Sequence, residues 1–257
     1  MKSLYEFLVI LFFTVIFLFG CTETTTEPDE TIYPDYYPTS TGSALKYSMV
    51  EKDTLGNIIQ SGTRNILFSG SANYNGINYT TQDDSLDFGS QSSVSTYLVR
   101  KTETGVFYAV DTSQISQLIP DTLKQYVTLR NEMQLLFYPL ATGSSWSLYR
   151  ITAEIQPNVE IKILDIVASF EKAQYIELNI DSVRLVFPSR KVSYTVELYT
   201  EIGSEPDTYT ANMWFVENIG LVKFEGNQFI IGTSGGGITI EPSPNILTEE
   251  LINYNIK

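Results

Sequence analysis

The sequence predicts a mainly β fold, a curved antiparallel sheet with one or two short helices. Three observations carry this. Apolar and polar residues alternate with period two along much of the chain after residue 44. Turn-forming residues fall between the alternating runs. The 17 Tyr and 14 Phe supply flat rings of the kind that pack well on a pleated surface.

The strands are legible one by one. Val159, Ile161 and Ile163 alternate with Glu160 and Lys162; Ile176, Leu178 and Ile180 with Glu177, Asn179 and Asp181. Val192, Tyr194, Val196 and Leu198 alternate with Ser193, Thr195 and Glu197, and Ile252, Tyr254 and Ile256 with Asn253 and Asn255. Such runs bury one face and wet the other, as in antiparallel sheet. Tyr74-Asn75-Gly76-Ile77 fits a two-residue hairpin, because Asn and Gly tolerate positive φ at its centre; Gly56-Asn57 and Thr104-Gly105 are softer versions. The alternation slips near Leu164 and again between Ile180 and Val183, which predicts bulges that curve the sheet.

One stretch reads as helical. Thr112 or Ser113 caps a segment carrying Ile115, Leu118 and Ile119, Pro120 opens a second turn towards Leu123, and strand resumes near Tyr126. There is also a faint repeat. Tyr37-Pro38-Thr39-Ser40-Thr41-Gly42-Ser43 matches Tyr138-Pro139-Leu140-Ala141-Thr142-Gly143-Ser144 at Tyr, Pro, Thr, Gly and Ser. Either two related β-units lie side by side, or one turn solution is used twice.

The chain opens with Lys2 and an apolar run from Phe7 to Phe19 broken only by Thr14. That is signal-peptide length, whereas a bilayer-spanning helix needs about 20 apolar residues. The run closes on Leu18-Phe19-Gly20-Cys21, which resembles the lipobox of bacterial lipoprotein signals, with Phe19 bulkier than the usual residue. The resemblance implies removal of residues 1–20 and lipidation of Cys21. At about 0.8 kcal/mol per buried methylene, two or three acyl chains hold a protein on a membrane where one does not. Residues 21–41 are rich in Thr, Pro and acid and carry no Lys or Arg, so they read as a disordered tether, leaving 42–257 as a β-rich globular domain. The location expected is the cell envelope, lipid-anchored in the outer membrane, on its periplasmic or surface face.

Charge and composition exclude several functions. With 16 basic and 30 acidic residues the net charge is −14, which repels nucleic-acid phosphates. There is no histidine, which removes Ser-His-Asp and Cys-His catalysis and histidine-ligated metal, and the lone cysteine makes no internal disulfide. Asp83, Asp84 and Asp87 cluster in a Ser/Gly-rich loop over residues 81–93, but their spacing fits no EF-hand. Gly235-Gly236-Gly237 lacks the Lys and following helix of a phosphate-binding loop. No metal, cofactor or catalytic residue is assigned.

Tyr138-Pro139 with Gly143 and Trp146, followed by Trp214 and Ile219-Gly220-Leu221-Val222-Lys223, resembles a group of uncharacterised envelope lipoproteins of Bacteroidota-type bacteria. Those proteins carry a Tyr-Pro-Leu…Gly…Trp element and a later Trp…Gly-Leu-Val-Lys element, and the resemblance covers Tyr37 to Gly226. It implies a strongly curved, half-barrel-like sheet similar to periplasmic lipoprotein carriers, whose concave face holds acyl chains. This chain offers little helix to plug such a face, and no functional residue transfers. Read from the residues themselves, Trp146 and Trp214 are core fillers.

The expectation is therefore a non-enzymatic, lipid-anchored binding module, taking an apolar ligand in its curved sheet. Two alternatives are a structural or adhesive surface protein that binds another envelope protein or a glycan, and a carboxylate-dependent glycoside hydrolase.

Overall fold

The computed structural model describes residues 33–89, 91–116, 119–157, 159–200, 203–227 and 243–257. Their strands are β1 (Ala44–Lys52), β2 (Ile58–Tyr74), β3 (Ile77–Asp87), β4 (Ser92–Thr102), β5 (Gly105–Ala109) and β6 (Glu132–Phe137), then β7 (Ser145–Gln156), β8 (Val159–Ile180), β9 (Val183–Leu198), β10 (Asp207–Val216), β11 (Gly220–Asn227) and β12 (Ile246–Asn255). All lie in one antiparallel sheet ordered β6-β5-β4-β3-β2-β1-β12-β11-β10-β9-β8-β7. The body is thus two six-stranded meanders, β1–β6 and β7–β12, joined where β12 pairs with β1.

The sheet curls until its end strands, β6 and β7, come together, and side chains replace the missing ladder. The Trp146 indole N–H donates to the Gln134 carbonyl at 3.1 Å, the Tyr149 hydroxyl to Arg130 at 2.7 Å, and the Tyr194 hydroxyl to Leu135 at 3.3 Å. The strongly curved antiparallel sheet that the sequence predicts is present, and it is nearly closed into a barrel. Its inward positions are filled by the chain's own rings, among them Tyr47, Phe68, Tyr108, Tyr149, Phe170, Tyr194, Phe215 and Phe224, all buried. Trp146 is buried with them, whereas Trp214 is buried on the opposite face of the sheet, flanked by Lys191 and Lys223, whose Nζ atoms lie 5.8 and 5.6 Å from its ring centroid.

The two meanders repeat one arrangement. Gly42 N–H donates to Phe68 O at 2.7 Å, and Gly143 N–H to Phe170 O at 3.4 Å. Phe68 N–H returns to Ser43 O, and Phe170 N–H to Ser144 O, each at 2.9 Å. Gly42 and Gly143 both sit at positive φ, +89° and +83°, and the register slips just after each phenylalanine, between Phe68 and Gly70 and between Phe170 and Lys172. The segment ahead of each meander also reaches into the other one. Asn218 N–H donates to Asp35 O at 2.7 Å, and Tyr138 N–H to Thr104 O at 3.0 Å. The matching Tyr-Pro segments of the sequence therefore open two equivalent units.

Several local expectations change. The expected tether spans residues 21–41, yet Tyr36 and Tyr37 are buried in the core, so the folded body begins by Tyr33. Two aromatic rings gave that stretch something to bury, which its Thr and Pro content masked. Residues 1–32, with Cys21, lie outside the described residues, as does Gly235-Gly236-Gly237. Among the described residues, which do not include Leu118, the helical segment is a single turn, α1 (Thr112–Ile115), followed by a 3-10 turn at Lys124–Tyr126. Its cap is Asp111, whose carboxylate accepts the Ser113 N–H at 2.9 Å, rather than Thr112 or Ser113. Strand resumes at Glu132, not Tyr126, although Val127 makes an isolated bridge to Ala153. The slip near Leu164 is a bulge, set against Ile151 and Thr152. The slip between Ile180 and Val183 is instead a two-residue turn: Asp181 and Ser182 both take positive φ, +48° and +67°. Asn75 and Gly76, at +52° and +80°, form the expected counterpart between β2 and β3.

Candidate functional site

Among the described residues the apolar filling of the barrel is interrupted by a charged cluster centred on Arg64. Alternation along β2 turns Arg64 inward between Ile66 and Gly62, where it meets Asp84 of β3 and Glu249 of β12. Its Nε lies 3.0 Å from both Asp84 carboxylate oxygens, its Nη2 2.6 Å from Asp84 Oδ2, and its Nη1 2.8 Å from Glu249 Oε2. All three are buried. Burial works against the Arg64 charge, but Asp84 and Glu249 outweigh it and hold the guanidinium charged. Glu249 is pushed the other way: burial raises its carboxyl above the usual range, with Arg64 only partly opposing. Next to this cluster the Tyr37 and Tyr108 hydroxyls touch each other and reach Gln82 Oε1 at 3.2 and 2.6 Å. Burial pushes Tyr37 up to about 12, so both phenols stay neutral donors. Gln82 Nε2 and Glu249 Oε1 have no protein partner among the described residues.

This placement disperses the predicted acidic cluster. Asp84 points into the barrel, Asp83 points out and accepts the Thr96 hydroxyl at 2.7 Å, and Asp87 ends β3 by accepting Gly89 N–H at 2.8 Å. Residues 81–87 are strand, not loop, because every second one faces the core. The period-two alternation of β3 sends neighbouring carboxylates to opposite faces, so they form no common oxygen cage.

The outer surface carries a second feature. β7 pairs with β8 only as far as Ser169, and β10 pairs with β9 only from Ser189 onward. Beyond these points residues 171–180 of β8 and 183–188 of β9 run on as a two-stranded arm. Its tip is fixed to β12: Asp181 N–H donates to Ile252 O at 3.0 Å, and Asn253 Nδ2 to Asp181 Oδ1 at 2.7 Å. Leu178 and Ile180 face inward and are buried, whereas Tyr175, Val186 and Val183 are 78%, 61% and 56% exposed. At the arm's root a cleft of about 260 Å³ opens between Tyr36, Tyr175, Pro188, Arg190 and Glu217. Arg190 Nε donates to the Tyr36 hydroxyl at 3.0 Å and forms one wall.

Sequence reasoning found the strands of this arm but not the arm. The signal was present in Asp181-Ser182, two short polar residues between apolar runs, and in Pro188, which suits a strand edge.

No protein-family model and no curated protein matches the sequence. Two solved structures are similar in fold. One is a candidate lipoprotein from Parabacteroides distasonis, 14% identical over 87% of this chain and 100% of that one, with a TM-score of 0.48. The other is a candidate exported protein with a YmcC-like fold from Bacteroides fragilis, 10% identical over 86% of this chain and 99% of that one, also at 0.48. These are likenesses of fold, and no residue role is carried over from them.

Proposed function

We propose that this protein is a lipid-anchored, non-enzymatic module of the cell envelope that binds protein on its outer surface. The lipobox-like end of the apolar leader, at Leu18 to Cys21, supports the anchor. The observation that carries the binding role is the β8–β9 arm, with Tyr175 and Val186 standing 78% and 61% exposed on one face. Exposed apolar side chains on a pinned, rigid element favour association with another protein.

An apolar ligand within the sheet fits less well, because aromatic side chains occupy the concave face. Carboxylate catalysis also fits less well. Asp84 and Glu249, the carboxyls brought together inside the barrel, both bind Arg64 away from water.

The test has two parts. Cys21→Ser is expected to shift the protein from the membrane pellet to the soluble fraction; unchanged pelleting and unchanged mass would defeat the anchor. A photocrosslinking residue at Tyr175 is expected to capture protein on intact envelopes, and the same residue at Leu55 is not. Acyl lipid found in the purified domain by native mass spectrometry would restore the carrier reading.

A further inference from the structure

The first meander builds the same arm and fills it differently. Its β2–β3 extension reads Ser69-Gly70-Ser71-Ala72-Asn73-Tyr74 against Ile77-Asn78-Tyr79-Thr80-Thr81; only its tip pair, Tyr74 and Ile77, exposes large apolar side chains, and its stem is closed by cross-strand side-chain bonds, Asn73 to Asn78 at 2.8 Å and Ser69 to Thr81 at 3.0 Å. In the second meander the β9 side reads Val183-Arg184-Leu185-Val186-Phe187-Pro188. The architecture does not require apolar residues at this place, so their presence needs another cause.

That cause lies in the backbone. Among the described residues β9 has no strand beside it from Val183 to Pro188 on the side away from β8. In a two-residue hairpin the flanking residues, here Ile180 and Val183, exchange both backbone bonds, and the alternation of an antiparallel ladder then fixes all the others. Arg184 and Val186 turn their N–H and C=O groups outward, and Pro188 turns out its C=O. Pro188 falls where its missing N–H would face away from β8, so the ladder itself supports this parity. The usual guards of a free edge are weak here. The one charge on it, Arg184, is already paired with Glu177 of β8.

We propose that this edge pairs with the same edge of a second copy, antiparallel about a two-fold axis at Val186. In that register each Val186 exchanges two backbone bonds with its counterpart, and each Arg184 N–H donates to the opposite Pro188 carbonyl. The residue without a donor thus faces the residue whose donor finds a carbonyl, and Val186 packs on its own image. A six-residue edge buries far less than the roughly 1,200–2,000 Å² of a stable interface. Pairing is therefore expected between copies concentrated on one membrane rather than in dilute solution. The inference rests on the proposed binding role of the arm and names its partner.

The test is disulfide trapping of the full-length protein reconstituted in phosphatidylcholine vesicles. Residues directly opposed in a hydrogen-bonded antiparallel pair have Cα atoms about 5.5 Å apart, within the range a disulfide spans. Val186→Cys is expected to give covalent dimer under mild oxidation at least tenfold faster than Leu55→Cys, whose site on the β1–β2 turn is 85% exposed. Adding Arg184→Pro removes an outward N–H while leaving the ladder to β8 intact, and is expected to lower the dimer yield about tenfold with an unchanged circular dichroism spectrum. Equal trapping at both cysteines, or trapping indifferent to Arg184→Pro, overturns self-pairing. Failure at Val186 with capture of a different protein from Tyr175 overturns it while sparing the binding role; failure at both sites removes both.

Discussion

Arg64 Nη1 lies 2.8 Å from Glu249 Oε2 inside the barrel, so β2 of the first meander grips β12 of the second across the intervening β1. The contact spans the junction of the two meanders and is closed off from water. Its partner Asp84 comes from the first meander, which makes Arg64 the shared cation of both.

Arg64→Met leaves two buried carboxyls facing each other without a cation. It is expected to cost about 3–5 kcal/mol of folding stability, read from urea midpoints. Replacing all three residues together, as Arg64→Met, Asp84→Leu and Glu249→Leu, is expected to recover most of that loss. A triple variant no more stable than the single one would show that the cluster stabilises the barrel by more than mutual neutralisation.

Glu249 and Glu132 are expected to give opposite pH dependences. Burial holds the folded Glu249 carboxyl above its ordinary range, so as pH rises the unfolded chain loses this proton first. The stability it contributes is complete below the ordinary carboxyl value and is lost as pH climbs through the raised one. Hydrogen bonding from Arg100, at 2.5 and 2.6 Å, lowers Glu132, so its contribution is present at neutral pH and lost on acidification through the lowered value. Urea midpoints of Glu249→Gln should therefore decline less than wild type above about pH 4.5, whereas those of Glu132→Gln should decline less below it. Parallel curves for either variant would contradict the corresponding assignment.

Gly105 tests the β5–β6 contact. It sits at φ +148°, and a Cβ there would fall 1.9 Å from the Leu136 carbonyl oxygen. Gly105→Ala should cost at least about 2 kcal/mol through backbone displacement and strain. Gly56→Ala, at φ +87° with open space around it, should cost about 1 kcal/mol.

The seam between β6 and β7 offers another test. Trp146→Phe keeps the ring and removes the indole N–H that bonds Gln134 O. A loss of about 1 kcal/mol is expected, with faster amide exchange in β6 and β7 and little change in β1 or β12. Uniform acceleration across the sheet would mean that the seam does not open on its own.

Much of this fold was legible because period-two alternation is a local property. Val192, Tyr194 and Val196 announce both a strand and the face it buries, and Asn75-Gly76 announces a turn by its tolerance of positive φ. Closure was not legible. Whether β6 meets β7 depends on where Trp146, Tyr149 and Tyr194 reach, and no single strand records that. The Asp181-Ser182 turn was misread as a bulge because neither residue is Gly or Asn, the usual occupants of two positive-φ positions. The charged cluster was hidden for a related reason. Asp84 stands beside Asp83 in sequence and looks solvated, while its cation, Arg64, lies 20 residues before it and the second carboxyl, Glu249, lies 185 residues after that cation. The arm's edge was hidden because a free backbone is defined by where β10 stops, which its neighbour's sequence does not state.

Trp146 in β7 and Trp214 in β10 are the chain's two indoles, and both belong to the second meander. The first meander is built around phenols and phenyl rings such as Tyr47, Tyr108 and Phe68. Emission excited at the red edge of the absorption band is therefore a one-sided witness, silent about half of the sheet. Were the halves to melt at different denaturant concentrations, that optical trace would part company with far-ultraviolet dichroism, and the gap between the curves would measure how tightly the guanidinium at the junction makes them melt as one.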